Sequence, residues 1–295
     1  WSSDVCSSDL RKTADPALER LRRAGIDGIA RSHYPTISRP NHVALVTGVP
    51  PMLSGVRNNA YKTPVPLDSL MRRLRESNRH AAFVADYATS LAYLFTDEFD
   101  SLTYAKWPGG LVKAGLAALE GKHELVVVIA GGVDRAGHEE GGDSEEYRDE
   151  VAKADAMLAK LLERVDLEKD TVIVTADHGH TDSGGHGGEE DLVMKVPLIL
   201  AGAGIQSEAL LPDARLVDVA PTVAALLGVS GPGHGVGRSL VKLLDLPAEE
   251  RAALKANDTA RVLRNLNWHR EALERAAEAR SDNRWRRIFV LAPLL

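Results

Sequence analysis

Apolar positions along this chain alternate between helical and strand spacing. Leu18, Leu21 and Ala24 recur at helical spacing within Pro16 to Ala24, and a polar, Pro-bearing loop follows. Leu67 to Arg75 predicts a second helix beyond the breakers Pro64 and Pro66, and Ala81 to Ala85 predicts a short buried strand. Glu124 to Ala130 is a continuous apolar run of the kind buried on both faces of a parallel sheet. Tyr147, Val151, Ala154, Met157, Leu158, Leu161, Leu162 and Val165 then form an apolar stripe over several helical turns. Thr171 to Thr175 and Val196 to Ala201 predict two more buried strands, and Val217 to Leu227 a helix. This alternation, free of internal repeats, predicts an α/β sandwich whose function sits in loops at the carboxyl ends of strands. Beyond about Leu246 the apolar strands stop, and residues 246–295 read as a charged helical appendage or connector.

The two ends of the chain modify that picture. Trp1 to Leu10 has neither periodicity nor the form of a signal peptide. It resembles the conceptual translation of a sequencing-library adapter, so residues 1–10 are expected to be a non-native segment and residues 11–245 the folded domain. Cys6, inside that segment, is the single cysteine, which leaves no internal disulfide to form. At the other end Trp285-Arg286-Arg287 precedes the apolar run Ile288 to Leu295. Aromatic and basic residues beside an apolar run suit a helix entering a membrane, although a span needs about 20 residues. Continuation into a membrane segment is one expectation, and an apolar tail packed on the domain is the other. With 36 basic against 42 acidic residues the net charge is −6, and nothing points to a nucleic acid polymer as partner.

Chemistry concentrates where two predicted strands end. The first runs into Gly131-Gly132-Val133-Asp134-Arg135-Ala136-Gly137-His138, and the second into Ala176-Asp177-His178-Gly179-His180-Thr181-Asp182. Each loop offers an Asp and a His, and His186 follows between glycine pairs. Carboxylates and imidazoles in this combination are the donors that zinc or manganese prefers. One Asp-His pair means little, because such residues also cap helices; two pairs at strand ends with a glycine-flanked His make a metal site. His180 and Asp182 either orient the ligands or are ordinary loop polar groups. His234, in a turn-rich stretch, competes with His186 for the last ligand position, and the short spacing from Asp177 favours His186.

A third constellation lies upstream, in Tyr34-Pro35-Thr36-Ile37-Ser38-Arg39-Pro40-Asn41-His42, and extends to Asn58-Asn59. Together with Asp134, Gly137, His138 and Gly141, and with Asp177-His178-Gly179, it resembles the type I phosphodiesterase/nucleotide pyrophosphatase branch of the alkaline phosphatase superfamily. Thr181 to Ile205 is similar to the ethanolamine phosphate transferases of lipid anchors. The resemblance implies a three-layer α/β/α sandwich, here lacking its first strand, and two divalent metal ions. It makes Ser38 the nucleophile and Asn59 a donor to the phosphoryl oxygen. It assigns Asp134, His138 and His186 to one ion, and Asp177, His178, Ser38 and an Asp ending the first strand to the other. Two ions roughly 4 Å apart would clamp an in-line displacement through a phosphoseryl intermediate.

One ligand position falls outside the match. The first-strand Asp belongs just ahead of Pro16 to Ala24, where the foreign decapeptide stands. Asp9 lies near that place without a strand, and Asp27, which follows the helix, reads as a turn residue. An inactive metal-binding remnant is therefore the alternative of another class, beside a nucleotide pyrophosphatase, sulfatase or mutase. His42 reads as a packed, hydrogen-bonded histidine. Arg39 stands where nucleotide-cleaving members carry an aromatic residue, which points away from base stacking. An Arg fork can instead pair with an anion, suiting a compact phosphate ester or a lipid head group as substrate. Family resemblance favours an extracytoplasmic or membrane-associated location.

Overall fold

The computed structural model describes residues 16–86, 90–206 and 209–282; Cys6, Asp9 and the run from Trp285 to Leu295 lie outside them. In chain order the elements are α1 (Pro16–Ala24), β1 (Gly25–Arg31), α2 (Ser38–Thr47), α3 (Pro51–Ser54), α4 (Leu70–Glu76), β2 (Ala81–Ala85), α5 (Ser90–Leu94), β3 (Ser101–Tyr104), α6 (Gly109–Glu120) and β4 (Leu125–Ile129). There follow α7 (Gly132–Glu139), α8 (Glu145–Leu161), β5 (Thr171–Thr175), α9 (Asp191–Met194), β6 (Lys195–Gly202), β7 (Ala214–Arg215), α10 (Val219–Leu226) and α11 (Ala248–Asp282).

The strands form two sheets, ordered β3-β2-β4 and β5-β6-β1-β7. The first is parallel throughout. In the second, β6 runs antiparallel to both β1 and β5. Side chains on the two faces of each strand enter different cores, as the period of two requires. Phe83 of β2 packs toward α4 and α5, while Ala82 and Val84 pack toward Leu111 of α6 and Met157 of α8. In β6, Leu198 and Leu200 face Ile26 and Leu243, whereas Ile199 and Ala201 face Leu18 and Leu21 of α1 and Val151 of α8. α8 thus contributes to clusters on one face of both sheets, and Leu45 of α2 does the same on the other. Helix, sheet and helix layers result, a three-layer α/β/α sandwich.

Two expectations need correction. Asp27 is a strand residue of β1, opposite Ile199 of β6, with its carboxylate 3.4 Å from Arg22. The glycines and charges of Gly25-Ile26-Asp27-Gly28-Ile29-Ala30-Arg31 hide the strand from an apolar-run criterion, but Ile26 and Ala30 fill the core. Gly25 is required by close approach: a Cβ there would fall 2.0 Å from the Leu200 carbonyl oxygen. Secondly, the residues carrying Asp134 and His138 form helix α7 rather than a loop, placing the two one turn apart on one face.

Among the described residues β4 pairs only with β2, and β5 only with β6. All five residues of each strand are half-buried, in contrast to the fully buried β2. At the opposite end α11 is stitched to the body: Asp258 accepts from Ser239 N, and Arg261 donates to the carbonyls of Gly235 and Gly237.

Candidate metal centre and nucleophile

Ser38 is the first residue of α2, after an extended Ile37, so its hydroxyl sits at the N-terminus of a 10-residue helix. Pro40 is tolerated within the first turn, where its missing N–H has no intrahelical partner to lose. Backbone donors at such an end favour an anion. Asn41 secures the approach to the helix, receiving from His33 N and donating to the His33 and Pro35 carbonyls. Arg39 N donates to Asn59 Oδ1 at 3.0 Å, which fixes Asn59 beside Ser38.

The Ser38 hydroxyl lies 3.1 Å from His178 Nε2. The other nitrogen of that ring, Nδ1, lies 3.1 Å from the Gly179 carbonyl and must donate to it, which leaves Nε2 with its lone pair toward Ser38. Burial pushes the His178 pKa down to about 4, with His186 and His180 adding to the effect against Asp177 and Asp134, so the ring is neutral at neutral pH. His186 is arranged alike: Nδ1 donates to the Thr36 carbonyl at 2.7 Å, Nε2 points inward, and burial lowers its pKa. Asp177 is opposed by burial, yet the imidazoles of His178 and His42 hold its carboxyl below the usual value. His42 is the packed histidine expected, bridging Ser90 Oγ at 2.5 Å and Asp177 Oδ2 at 3.3 Å.

Asp134 Oδ1 is the focus of the cluster. Around it stand the Nε2 atoms of His180 at 3.3 Å, His138 and His186 at 3.7 Å, and His178 at 3.9 Å. Asp134, His178, His180 and His186 offer donor atoms that all lie within 4.8 Å of one another. The His178 and His186 rings stack at 3.7 Å, and His138 Nε2 is 3.0 Å from His186 Nε2. The inward nitrogens of His178 and His186 are acceptors by their outer bonds, and a carboxylate accepts only. Acceptors gathered this closely repel unless a cation or shared protons lie among them. The donor set, imidazoles with two carboxylates of which Asp177 is backed by His42, fits a divalent metal ion.

The expected ligands and nucleophile inside the described range come together here, whereas Asp182, His234 and the Arg39 guanidinium do not join them. Asp134, His138, His186, Asp177, His178 and Ser38 are contiguous, with His178 linking the two ligand groups expected. Asp182 is exposed, and His234 is engaged elsewhere, accepting from Asp68 N at 2.9 Å. Arg39, expected at an anion, has its guanidinium on the carbonyls of Asn59 and Tyr61 and over the Tyr93 ring, 4.9 Å from its centroid. An open cleft of about 870 Å³ leads to Ser38, Asn59 and Asp134, with Tyr93, Lys106 and Trp107 on its walls. His180 is the residue that sequence reasoning left undecided. Its signal was the Asp-His-Gly-His order, since residues two apart in extended chain share a side.

Fold and site together describe an α/β/α sandwich carrying an Asp/His cluster able to hold a metal ion. Residues 5–79 match the family of type I phosphodiesterases/nucleotide pyrophosphatases, and residues 106–231 the metalloenzyme superfamily. GPI ethanolamine phosphate transferase 1 of Gibberella zeae is 26% identical over 82% of this chain and 30% of its own length. The human GPI ethanolamine phosphate transferase 3 catalytic subunit is 27% identical over 77% of this chain and 21% of its own. The chain therefore spans less than a third of the curated relatives it matches. Among solved structures, murine ectonucleotide pyrophosphatase/phosphodiesterase 5 superposes with a TM-score of 0.61 at 14% identity, covering 75% of this chain and 92% of that one. A phosphonate monoester hydrolase from Silicibacter pomeroyi gives 0.62 at 15%, covering 84% and 76%. The chain is thus similar in sequence to type I phosphodiesterases/nucleotide pyrophosphatases and to GPI ethanolamine phosphate transferases, and shares the fold of structures of the alkaline phosphatase superfamily. No described helix is long and apolar enough to cross a membrane.

Proposed function

We propose that this chain is the catalytic domain of a metal-dependent phosphodiesterase or phosphoryl-group transferase, with Ser38 as nucleophile. The observation that carries it is a hydroxyl at a helix N-terminus, held by a neutral imidazole whose ring belongs to a convergent Asp/His cluster. Asp134, His138 and His186 would hold one divalent ion, zinc or manganese, and Asp177, His178 and Ser38 a second. Such ions supply positive charge that makes a serine hydroxyl ionise near neutral pH. The protein's own part is positioning. His178 fixes the Ser38 oxygen, and the Arg39 backbone holds Asn59 with its amide N–H₂ free to meet a phosphoryl oxygen. The N-terminus of α2 stabilises charge developing on the same group. The Ser38 Oγ–P bond forms as the ester P–O bond breaks and the alcohol leaves, giving a phosphoseryl enzyme; water or a second alcohol then takes the phosphoryl group. The Arg39 guanidinium serves as the clamp of the Asn59–Tyr61 loop.

The cleft suits a phosphate ester with a small polar substituent or a lipid head group, and the relatives named as ethanolamine phosphate transferases support an ethanolamine phosphate ester. The protein, loaded with zinc or manganese, is assayed against phosphomonoesters, phosphodiesters including glycerophosphoethanolamine, and sulfate esters, with acid-quenched samples digested for mass spectrometry. Diester turnover is expected, with Ser38 carrying the phosphoryl group and its remaining substituent, which is ethanolamine phosphate when glycerol leaves glycerophosphoethanolamine. Preferred turnover of sulfate esters, or none of any ester with both ions bound, overturns the proposal.

A further inference from the structure

His180 follows the second Asp-His pair and is buried as deeply as any ligand beside it, with 3% of its surface exposed. Its Nε2 is buried and makes no hydrogen bond, although Asp134 Oδ1 stands 3.3 Å away. A buried imidazole nitrogen without a hydrogen bond loses its hydration for no return. The ring is nonetheless held firmly. It meets the rings of His138, His178 and His186 edge-on at 5.2–5.5 Å and that of Tyr147 at 5.9 Å. α7 approaches it through Gly137, where a Cβ would fall 2.5 Å from the ring. The backbone of the following turn is tied to the same place, with Thr181 N donating to Gly185 O and Gly185 N to Gly137 O. A side chain built in with this much support, and aimed at a shared carboxylate oxygen, is placed as a ligand is placed.

We propose that His180 is a direct ligand of the ion held by Asp134 and His186, an inference that rests on the metal centre proposed above. Donors arranged tetrahedrally about zinc at 2.0–2.1 Å lie about 3.3 Å from one another. The 3.3 Å between His180 Nε2 and Asp134 Oδ1 matches that edge, and the other imidazoles stand at 3.7–3.9 Å. His180 makes this half of the centre richer in imidazole, and a His-rich set favours zinc over manganese or magnesium.

The test uses the chelator-stripped full chain titrated with zinc alone, beside His180→Met and His180→Gln. Met keeps an apolar side chain of similar bulk against Gly137 and Tyr147. Circular dichroism and melting without metal report folding, and calorimetry and zinc-induced melting shifts report binding. Loss of the ligand is expected to weaken the tighter site at least 10-fold in both variants, with little change in metal-free melting. Zinc affinity equal to the unmutated chain in either variant overturns the assignment of His180 alone, whereas an unmutated chain that binds no zinc overturns the metal centre itself. Should both variants fail to fold, crystals of the unmutated protein soaked in zinc decide through anomalous scattering at the zinc edge. An ion about 2.1 Å from His180 Nε2 supports the proposal, and one beyond about 3 Å rejects it.

Discussion

At the scale of single residues, His178 and His186 each give Nδ1 to a backbone carbonyl and turn Nε2 into the cluster. Ser38 is the clearest test. Ser38→Ala removes the attacking oxygen and little volume, so turnover and the phosphopeptide should vanish while the melting temperature holds within about 2 °C. Unchanged turnover would take Ser38 out of the mechanism. His186→Ala should weaken zinc binding by 10-fold or more, whereas His234→Ala, which only loses its bond from Asp68 N, should leave zinc affinity unchanged and lower stability slightly; calorimetry of both decides. A pH effect follows from His33, whose pKa falls to about 4 through burial and the neighbouring Arg215, from an ordinary 6.5. Between those values the unfolded chain binds the proton and the folded one does not. Metal-free stability should therefore be full above pH 6.5 and fall as pH drops toward 4, losing on the order of 3 kcal/mol on this account. Urea melts of the unmutated chain and His33→Gln across that range check it; equal pH slopes would refute it.

At the scale of elements, what the sequence discloses depends on whether burial leaves a periodic mark. Ala81–Ala85 and Thr171–Thr175 are strands as their apolar runs predict, and Pro16–Ala24 is a helix with the predicted bounds. β1 was illegible because Gly25, Asp27, Gly28 and Arg31 break up the apolar run of a strand lying between β6 and β7. α2 was hidden because it has no exposed polar stripe: none of its residues is exposed, and polar Asn41, His42 and Thr47 are buried with its apolar ones. The Asp and His positions were legible from strand-end placement, but not their shared focus on Asp134, which depends on α7 being helical. A tertiary cap was equally invisible. Asp155 of α8 is buried and accepts from Ala17 N and Leu18 N, satisfying two donors at the start of α1 across 137 residues or more of chain. Asp155→Ala should destabilise the fold by about 1–2 kcal/mol, whereas Asp155→Asn, which keeps an acceptor, should lose less. Hydrogen exchange should speed up first at the α1 amides, and uniform protection there in the Ala variant would contradict the cap.

At the scale of the molecule, the edges of β4 and β5 that no described strand pairs bear directly on the site. Both strands deliver their carboxyl ends to the Asp/His cluster, β4 through α7 to Asp134 and β5 through Asp177 to His178. They therefore point the same way, and their half-buried apolar faces remain unpaired toward any strand among the described residues. A parallel strand lying between them would satisfy both edges and bring its own last residue to the Ser38, Asp177 and His178 side. An Asp there would supply a carboxylate that this side otherwise draws from Asp177 alone. Replacing residues 1–15 by an apolar strand ending in Asp-Gly is thus expected to raise the melting temperature and to add a second tight zinc equivalent. Ester turnover should rise with it. Changing only that Asp to Ala should cancel the second equivalent and the turnover while keeping the gain in stability, because the edges stay paired. The order of effects separates the two roles: stability follows the strand, and metal and activity follow the carboxylate. If the chain without the added strand already binds two zinc ions tightly and turns over at the same rate, the edge carries no ligand. Asp177, His178 and Ser38 then suffice for the second ion.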